Sequence, residues 1–171
     1  MTSAKLEAEL GALHSRGFGW ALSCCRWDES QAEDVLQTTY LKVLSGTARF
    51  EGRSAFSTWL FGVIRRTAQE MERKARSHRQ KALALVATGG LPESEPATAE
   101  QQVLRTEASR SLTAALGQLP ERQREVLFLV FYEDLSVAQS AEVMEISVGS
   151  ARTHYDRGKK RLRALLAEER P

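Results

Sequence analysis

One stretch divides this chain. Residues 86–100 read VATGGLPESEPATAE, with a Gly-Gly pair, two prolines and three glutamates. The stretch has no apolar periodicity, so no helix or strand face can be buried along it, and it reads as an acidic linker. On both sides apolar residues recur at steps of three and four, the period of an amphipathic helix, and no stretch alternates as a strand would. The pattern predicts an all-α protein of two small helical domains, residues 1–81 and 101–171, joined by a flexible linker over 82–100. A chain of 171 residues is long enough for two small domains of this kind.

In the first half, Leu6, Leu10, Leu13, Gly17, Ala21 and Cys24 predict one helix. A second opens at Asp28 with Gln31 three places on, resembling a capping box, and runs to about Ser45, where Gly46 can end it. A third begins near Ser54 and continues through RRTAQEMERKARSHRQK. In the second half helical spacing resumes at Gln101, and Pro120 stands where the next helix should begin. The segment LPERQREVLFLVFYEDLS offers Val126, Leu127, Leu129 and Val130 to a core. Ser136 can cap a short helix to Met144, EIS is a tight turn, and Ser147 can cap the last helix. With small Ala141 at the crossing, this is a helix-turn-helix.

At 100° per residue the last helix sorts into two faces. Val148, Ala151, Tyr155, Leu162 and Leu166 gather on the side expected to pack. Ser150, Thr153, Arg157, Lys160 and Arg161 gather opposite, flanked by Arg152 and His154. Small donors in the first turns allow close approach to base edges, and the cations behind them can grip phosphates. Within a helix-turn-helix this face reads as a DNA contact rather than a merely solvated surface.

The third helix carries a second seam. Phe56, Leu60, Val63, Ile64 and Met71 form its expected buried stripe, while Trp59, Gly62, Arg66, Gln69 and Arg73 line up beside it. An aromatic ring with arginines suits an opened duplex, because rings stack on bases and cations hold phosphates. Lys74, Arg76, Arg79 and Lys81 extend the seam. On the second helix, Val35, Leu36, Thr39, Tyr40 and Val43 define the buried side. Asp34, Gln37, Thr38, Leu41 and Ser45 lie opposite, which leaves Leu41 exposed among polar residues. An exposed leucine is either commonplace or a protein-docking patch, and the pattern alone leaves both open.

Composition excludes several classes. Net charge is +2, with 42% hydrophobic and 27% charged residues, so affinity for nucleic acid must come from local clusters. No apolar run approaches the roughly 20 residues that span a bilayer. The start, MTSAKLEAELGALHSRGFG, lacks the apolar core of a signal peptide, so the protein is expected in the cytoplasm without direct membrane insertion. Cys24 and Cys25 are adjacent, where a disulfide would be strained; a zinc site with His14 lacks ligands, and reduced thiols are the default. His14, His78 and His154 are scattered, and no nucleophile–base pair, carboxylate dyad or phosphate loop assembles. No catalysis, cofactor or metal is expected.

Three segments in order carry a resemblance: AEDVLQTTYLKVL, RFEGRSAFSTWLFGVIRRTAQE, and LPERQREVLFLVFYEDLSVAQSAEVMEISVGSARTHYDRGKKRLRALL. Together they resemble the bacterial sigma factors of the extracytoplasmic-function type, in the sigma-70 family. The resemblance implies that the second helix docks on the clamp helices of RNA polymerase core through Asp34, Gln37, Thr38 and Leu41. It implies that Phe50 and Arg53 of the RFEGRSAF loop, with Trp59, Gly62, Arg65, Arg66, Gln69 and Arg73, open the −10 promoter element and capture a flipped base. The helix-turn-helix would read the −35 element, with Arg152, Thr153, His154 and Arg157 at reading positions and Ser150, Lys160 and Arg161 beside them. The linker would thread towards the RNA exit path, and an anti-sigma protein would be a further partner. Thr38 stands where the family usually has Glu, Arg66 where Asn is frequent, and Ser140 where an apolar residue is usual. The competing class is a helix-turn-helix regulator that never docks on polymerase, which leaves the Trp59 seam and the Leu41 patch without purpose. A pure adaptor would lack both basic faces.

Overall fold

The computed structural model describes residues 2–86 and 107–168. Among them the chain forms eight helices and no strand: α1 Ser3–Ala12, α2 His14–Cys24, α3 Glu29–Leu44, α4 Phe56–Val86, α5 Glu107–Gly117, α6 Glu121–Phe131, α7 Val137–Met144 and α8 Val148–Glu168. The all-α expectation holds. Most of the segment read as a linker lies outside the described residues, as does the predicted restart at Gln101. Helix α4 itself runs five residues past position 81, to Val86.

Local chemistry explains most boundaries. The single helix expected at the start is two, α1 and α2, meeting at Leu13. Leu13 still donates to the Glu9 carbonyl at 3.1 Å, and Gly17 to the Leu13 carbonyl at 2.7 Å, so the register carries through what is a kink rather than a loop. At α3 the Asp28 carboxylate accepts from the Gln31 N–H at 2.9 Å, and the Gln31 amide donates to its other oxygen at 2.9 Å. The helix ends at Ser45, and Gly46 follows at φ +75°, a left-handed value that a side chain would resist. Helix α7 has a complete capping box: Gln139 N–H to Ser136 Oγ at 3.1 Å, and Ser136 N–H to Gln139 Oε1 at 2.8 Å. Ser140, fully buried, donates to the Ser136 carbonyl at 3.0 Å, so the hydroxyl that replaces an apolar side chain is satisfied within its own helix.

Two apolar clusters hold the helices. The smaller lies mostly in the second half: Leu116, Leu119 and Leu127, covered by Leu112, Leu162 and Leu165, with Trp27 of the first half also packed against it. The larger crosses from one half to the other. It joins Trp20, Leu60, Phe61 and Ile64 to Val126, Phe128, Leu129, Val143 and Met144. The Phe128 ring lies 5.7 Å from Trp20 and 6.2 Å from Trp27. Trp27 reaches that position from a turn in which both it and Arg26 are left-handed, at φ 69° and 54°. Such backbone costs a residue with a Cβ about 1–2 kcal/mol, so tertiary contact must hold it.

Two expectations about packing change. Val148, placed on the packed side of the last helix, is 38% exposed at the first position of α8. Leu165 rather than Leu166 lies against the Leu116–Leu119–Leu127 cluster. Gly62 has open space beside it, since a Cβ there would meet nothing within 4 Å. The close approach is at Gly158, where α8 crosses α6 and a Cβ would sit 3.1 Å from Leu127 Cδ1 and 3.2 Å from Gln123 Cβ.

These two glycines give opposite predictions. Gly158→Val should overpack the α6–α8 crossing and lower stability by about 1–3 kcal/mol. Gly62→Ala should instead raise it by about 0.5–1 kcal/mol, since helix propensity improves and nothing is displaced. Urea titration of both variants checks the pair; equal effects would mean the crossing is not as tight as the distances state.

Candidate nucleic-acid interface

Three outward surfaces carry the residues singled out in the sequence. On α3, Asp34, Gln37 and Leu41 are exposed and Thr38 is half-buried. Leu41 is 68% exposed, and Leu44, one turn further along the same stripe, is 51% exposed. Leu44 was not expected in this patch, although its spacing of three from Leu41 was readable. Lys42 fixes the stripe relative to α4 by donating to Glu70 at 2.6 Å and to Thr67 at 3.3 Å. That hydrogen bond, with the Lys42 charge, holds the Glu70 carboxyl below the usual carboxylate range.

The second surface combines the loop before α4 with the outer side of that helix. Phe50, Phe56 and Trp59 form a three-ring cluster, with centroids 5.2 Å apart for Phe50–Phe56 and 5.3 Å for each ring to Trp59. All three are half-buried, so the cluster keeps an accessible rim. Arg53 is exposed and paired with Glu51 at 2.7 Å. Further along α4, Arg66 and Arg73 are exposed and Gln69 is half-buried.

Arg65 departs from this set. It is 5% exposed and donates to both Glu125 oxygens, from Nε at 2.7 Å and Nη2 at 3.2 Å. The helical register accounts for the placement: buried Phe61 and Ala68 sit four residues before and three after Arg65, so it belongs to the inner face although its neighbour Arg66 does not. In this arrangement Arg65 faces α6 and not an open DNA surface. Burial pushes the Glu125 carboxyl up, while the Arg65 hydrogen bond and charge pull it back. Burial works against the Arg65 charge too, but the bond to Glu125 more than offsets it.

The third surface is α8. The Ser147 hydroxyl accepts from the Ser150 N–H at 3.1 Å, which starts the helix where the sequence placed the cap. Ser150, Arg152, Thr153, Arg157, Lys160 and Arg161 are exposed, His154 is half-buried, and Ala151 and Gly158 are buried on the opposite side. The expected polar face is therefore continuous. Lys159 turns aside from it, with Nζ 4.1 Å from the Tyr155 ring centroid.

Among the described residues, no group of three or more His, Cys, Asp or Glu side chains could hold a metal, and no helix is long and apolar enough to cross a membrane. The His14 ring meets the Tyr40 hydroxyl at 3.2 Å rather than the cysteines. Cys24 and Cys25 are free thiols packed against the core. Burial raises Cys24 well above the ordinary thiol value, with the Glu125 charge adding to it, and burial with the nearby Asp28 raises Cys25 to about 11.

Comparison with known proteins gives matches over both halves of the chain. The profile of sigma-70 region 2 matches residues 13–78, and that of sigma-70 region 4 matches residues 109–162. The chain is 34% identical over 151 residues to the ECF RNA polymerase sigma factor SigX of Bacillus subtilis, covering 83% of this chain and 75% of that one. It is 30% identical over 167 residues to the ECF RNA polymerase sigma factor EcfG of Rhodopseudomonas palustris, covering 97% and 87%. Among solved structures, the sigma factor RpoE of Bartonella quintana in complex with the anti-sigma factor NepR superposes with a TM-score of 0.73 at 24% identity, over 97% of this chain and 99% of that one. CnrH in complex with the cytosolic domain of CnrY gives 0.63 at 23% identity, over 95% and 88%. At these identities the structural likeness is one of fold.

The thiols supply a test of the packing between the surfaces. At pH 7.5, Cys25 should react with iodoacetamide much more slowly than an ordinary thiol, because burial holds it at about 11 and little thiolate is present. The rate should climb tenfold per pH unit towards 11, and buried Cys24 should lag behind. The folded form holds these protons more tightly than the unfolded chain, so stability should fall as pH rises from about 9 to about 11. Mass spectrometry of timed alkylation reads both sites, and rapid labelling at pH 7.5 would refute the burial.

Proposed function

The chain belongs to the sigma-70 family of RNA polymerase sigma factors, extracytoplasmic-function type, and on that premise we propose how its three surfaces divide the work of transcription initiation. As a member it binds RNA polymerase core and directs promoter-specific initiation. The observation that carries the division is the match of region 2 and region 4 to the two halves that bear, respectively, the aromatic–arginine seam and the helix-turn-helix. In this reading residues 1–81 dock on core and open the −10 element, and residues 101–171 read the −35 element.

The chemistry follows surface by surface. Leu41 and Leu44 offer an apolar anchor to the clamp helices, and Asp34 and Gln37 add directional polar contacts around it. The rim of the Phe50–Phe56–Trp59 cluster offers a stacking surface for an unpaired base, with Arg66 and Arg73 positioned along α4 for the phosphates beside it. On α8, Arg152, Thr153, His154 and Arg157 meet base edges, and Lys160 and Arg161 meet the backbone. None of this needs a nucleophile or a cofactor, so the protein is read as a binding factor and not an enzyme, acting in the cytoplasm. Because two similar solved proteins are held by NepR and by the cytosolic domain of CnrY, an anti-sigma protein is proposed as a partner here as well.

Two experiments test the division. Asp34→Arg combined with Leu41→Glu should abolish retention of core polymerase and promoter-specific transcription together, with melting temperature little changed, because neither side chain is buried. A stable double variant that still retains core would sink the α3 assignment. On α8, Arg157→Ala should cost about 1–3 kcal/mol and relax preference at one −35 position, whereas Lys160→Ala should weaken binding evenly and lower the salt slope by about one. Equal, sequence-independent losses would demote Arg157 to a phosphate contact.

A further inference from the structure

A cavity of about 470 Å³ lies where the turn after α2 meets the start of α6. Arg26 and Trp27 line it from the turn, and Leu119, Pro120, Glu121 and Arg124 line it from α6 and the link before it. Gly117 completes the wall without a side chain, and a Cβ there would meet nothing within 4 Å. None of these residues belongs to the three surfaces described above.

Arg124 gives the cavity its chemistry. It is only 6% exposed, yet among the described residues no acceptor meets its Nε and no ion pair holds its guanidinium. A cation taken out of water needs a counter-charge. The two nearest carboxylates in the chain do not supply one. Glu125 gives both oxygens to Arg65, at 2.7 and 3.2 Å. Glu121, three residues earlier on the same helix, is exposed and makes no bond to Arg124. The guanidinium therefore faces the cavity rather than a side chain.

The surroundings suit an anion. Arg26 comes to the rim from left-handed backbone at φ 54°, is exposed, and has no ion-pair partner among the described residues. Helix α6 starts at the same wall, and its N-cap, Pro120, offers no side-chain acceptor. The Gln123 and Arg124 N–H groups both return to the Pro120 carbonyl at 3.0 Å, which leaves those of Glu121 and Arg122 at the positive end of the helix. Two arginines stand against one carboxylate. The rest of the wall is apolar, with Leu119 and the Trp27 ring, which Phe128 backs at 6.2 Å. A bare phosphate would fill only a small part of this volume, which falls within the roughly 300–1,000 Å³ of small-molecule pockets.

We propose that this cavity binds a phosphate monoester of nucleotide size. Arg124, Arg26 and the first turn of α6 hold the phosphate, and the ring of the ligand lies against Trp27. The site stands independently of the roles given to the three surfaces.

The test uses the full chain and titration calorimetry, with adenosine monophosphate as the probe because it joins a monoester to a flat ring. Inorganic phosphate should bind about tenfold more weakly, and adenosine more weakly still. Arg26→Ala, at an exposed position, should weaken the nucleotide about tenfold, and Glu121→Gln should tighten it about twofold by removing a like charge. Arg124→Met should abolish binding, and without nucleotide its melting temperature should not fall, because the charge removed has no partner. If Arg124→Met does not fold, the two exposed variants carry the test. No heat with the nucleotide, or binding that Arg26→Ala and Glu121→Gln both leave unchanged, would overturn the site. Inorganic phosphate binding as tightly as the nucleotide would overturn the place given to Trp27. A folded Arg124→Met variant that melts far lower and still binds would make Arg124 a structural residue and overturn the proposal.

Discussion

Arg65 and Glu125 leave water together, and the relation between the two halves depends on it. A guanidinium or a carboxylate buried alone would cost several kcal/mol, so neither α4 nor α6 could present its charge to the other helix without the partner in place. The fork of Arg65 matches both carboxylate oxygens, which fixes the approach of α6 to α4 in distance and in rotation. Around that fixed point the apolar contacts fall into register: Phe128 against Trp20 and Trp27, and Val143 and Met144 in one cluster with Phe61 and Ile64. Apolar surface alone is tolerant of sliding, whereas a two-pronged hydrogen-bonded pair is not. The strained Arg26–Trp27 turn makes sense in the same frame, because it carries Trp27 to the Phe128 side of the junction.

Much of this architecture was legible before any coordinates. Caps such as Asp28 and Ser136 are local, and local chemistry set them where the sequence said. The α3 stripe and the α8 face were legible because each depends only on helical periodicity and on charges that stay in water. What could not be read were choices made by tertiary contact. Arg65 enters the −10 set through the family resemblance, and its partner in this structure lies sixty residues away in the chain. Its flanking by Phe61 and Ala68 at helical spacing was the available signal. Val148 fits the packed side of a wheel, but a wheel does not say whether the first turn of a helix is covered. Gly62 and Gly158 carry the same letter, and only the packed structure shows that α6 passes close to the second.

The kink at Leu13 makes a related point about scale. Every residue from Leu6 to Cys24 keeps helical spacing, and the hydrogen bonds run through Leu13, so the sequence contains no break to find. Beyond the kink Trp20 enters the core and gives its indole N–H to the Phe61 carbonyl of α4 at 3.0 Å. A buried indole without an acceptor would forfeit more than a kink costs. Periodicity therefore predicts which residues are inside, and the partners decide how straight the path to the inside can be.

Helix α4 is where these constraints meet, and its length follows from them. Its inner face, through Leu60, Phe61, Ile64 and Ala68, builds the core; its side carries Arg65 to α6; its outer edge carries Trp59, Arg66 and Arg73. Three duties need three faces, and faces 100° apart recur within any two turns, so one helix can serve the core, the second half and, in the function proposed above, nucleic acid at once. From Glu72 to Lys81 every residue is exposed, so this part of α4 is held by its own backbone bonds and by charge pairs such as Glu72 with Arg76 and Arg79. It adds no burial, yet it continues the basic seam outward along a rigid rod. The consequence is mechanical. A helix anchored by its first half and charged along its second can present cations to a polyanion without disturbing the core that positions it.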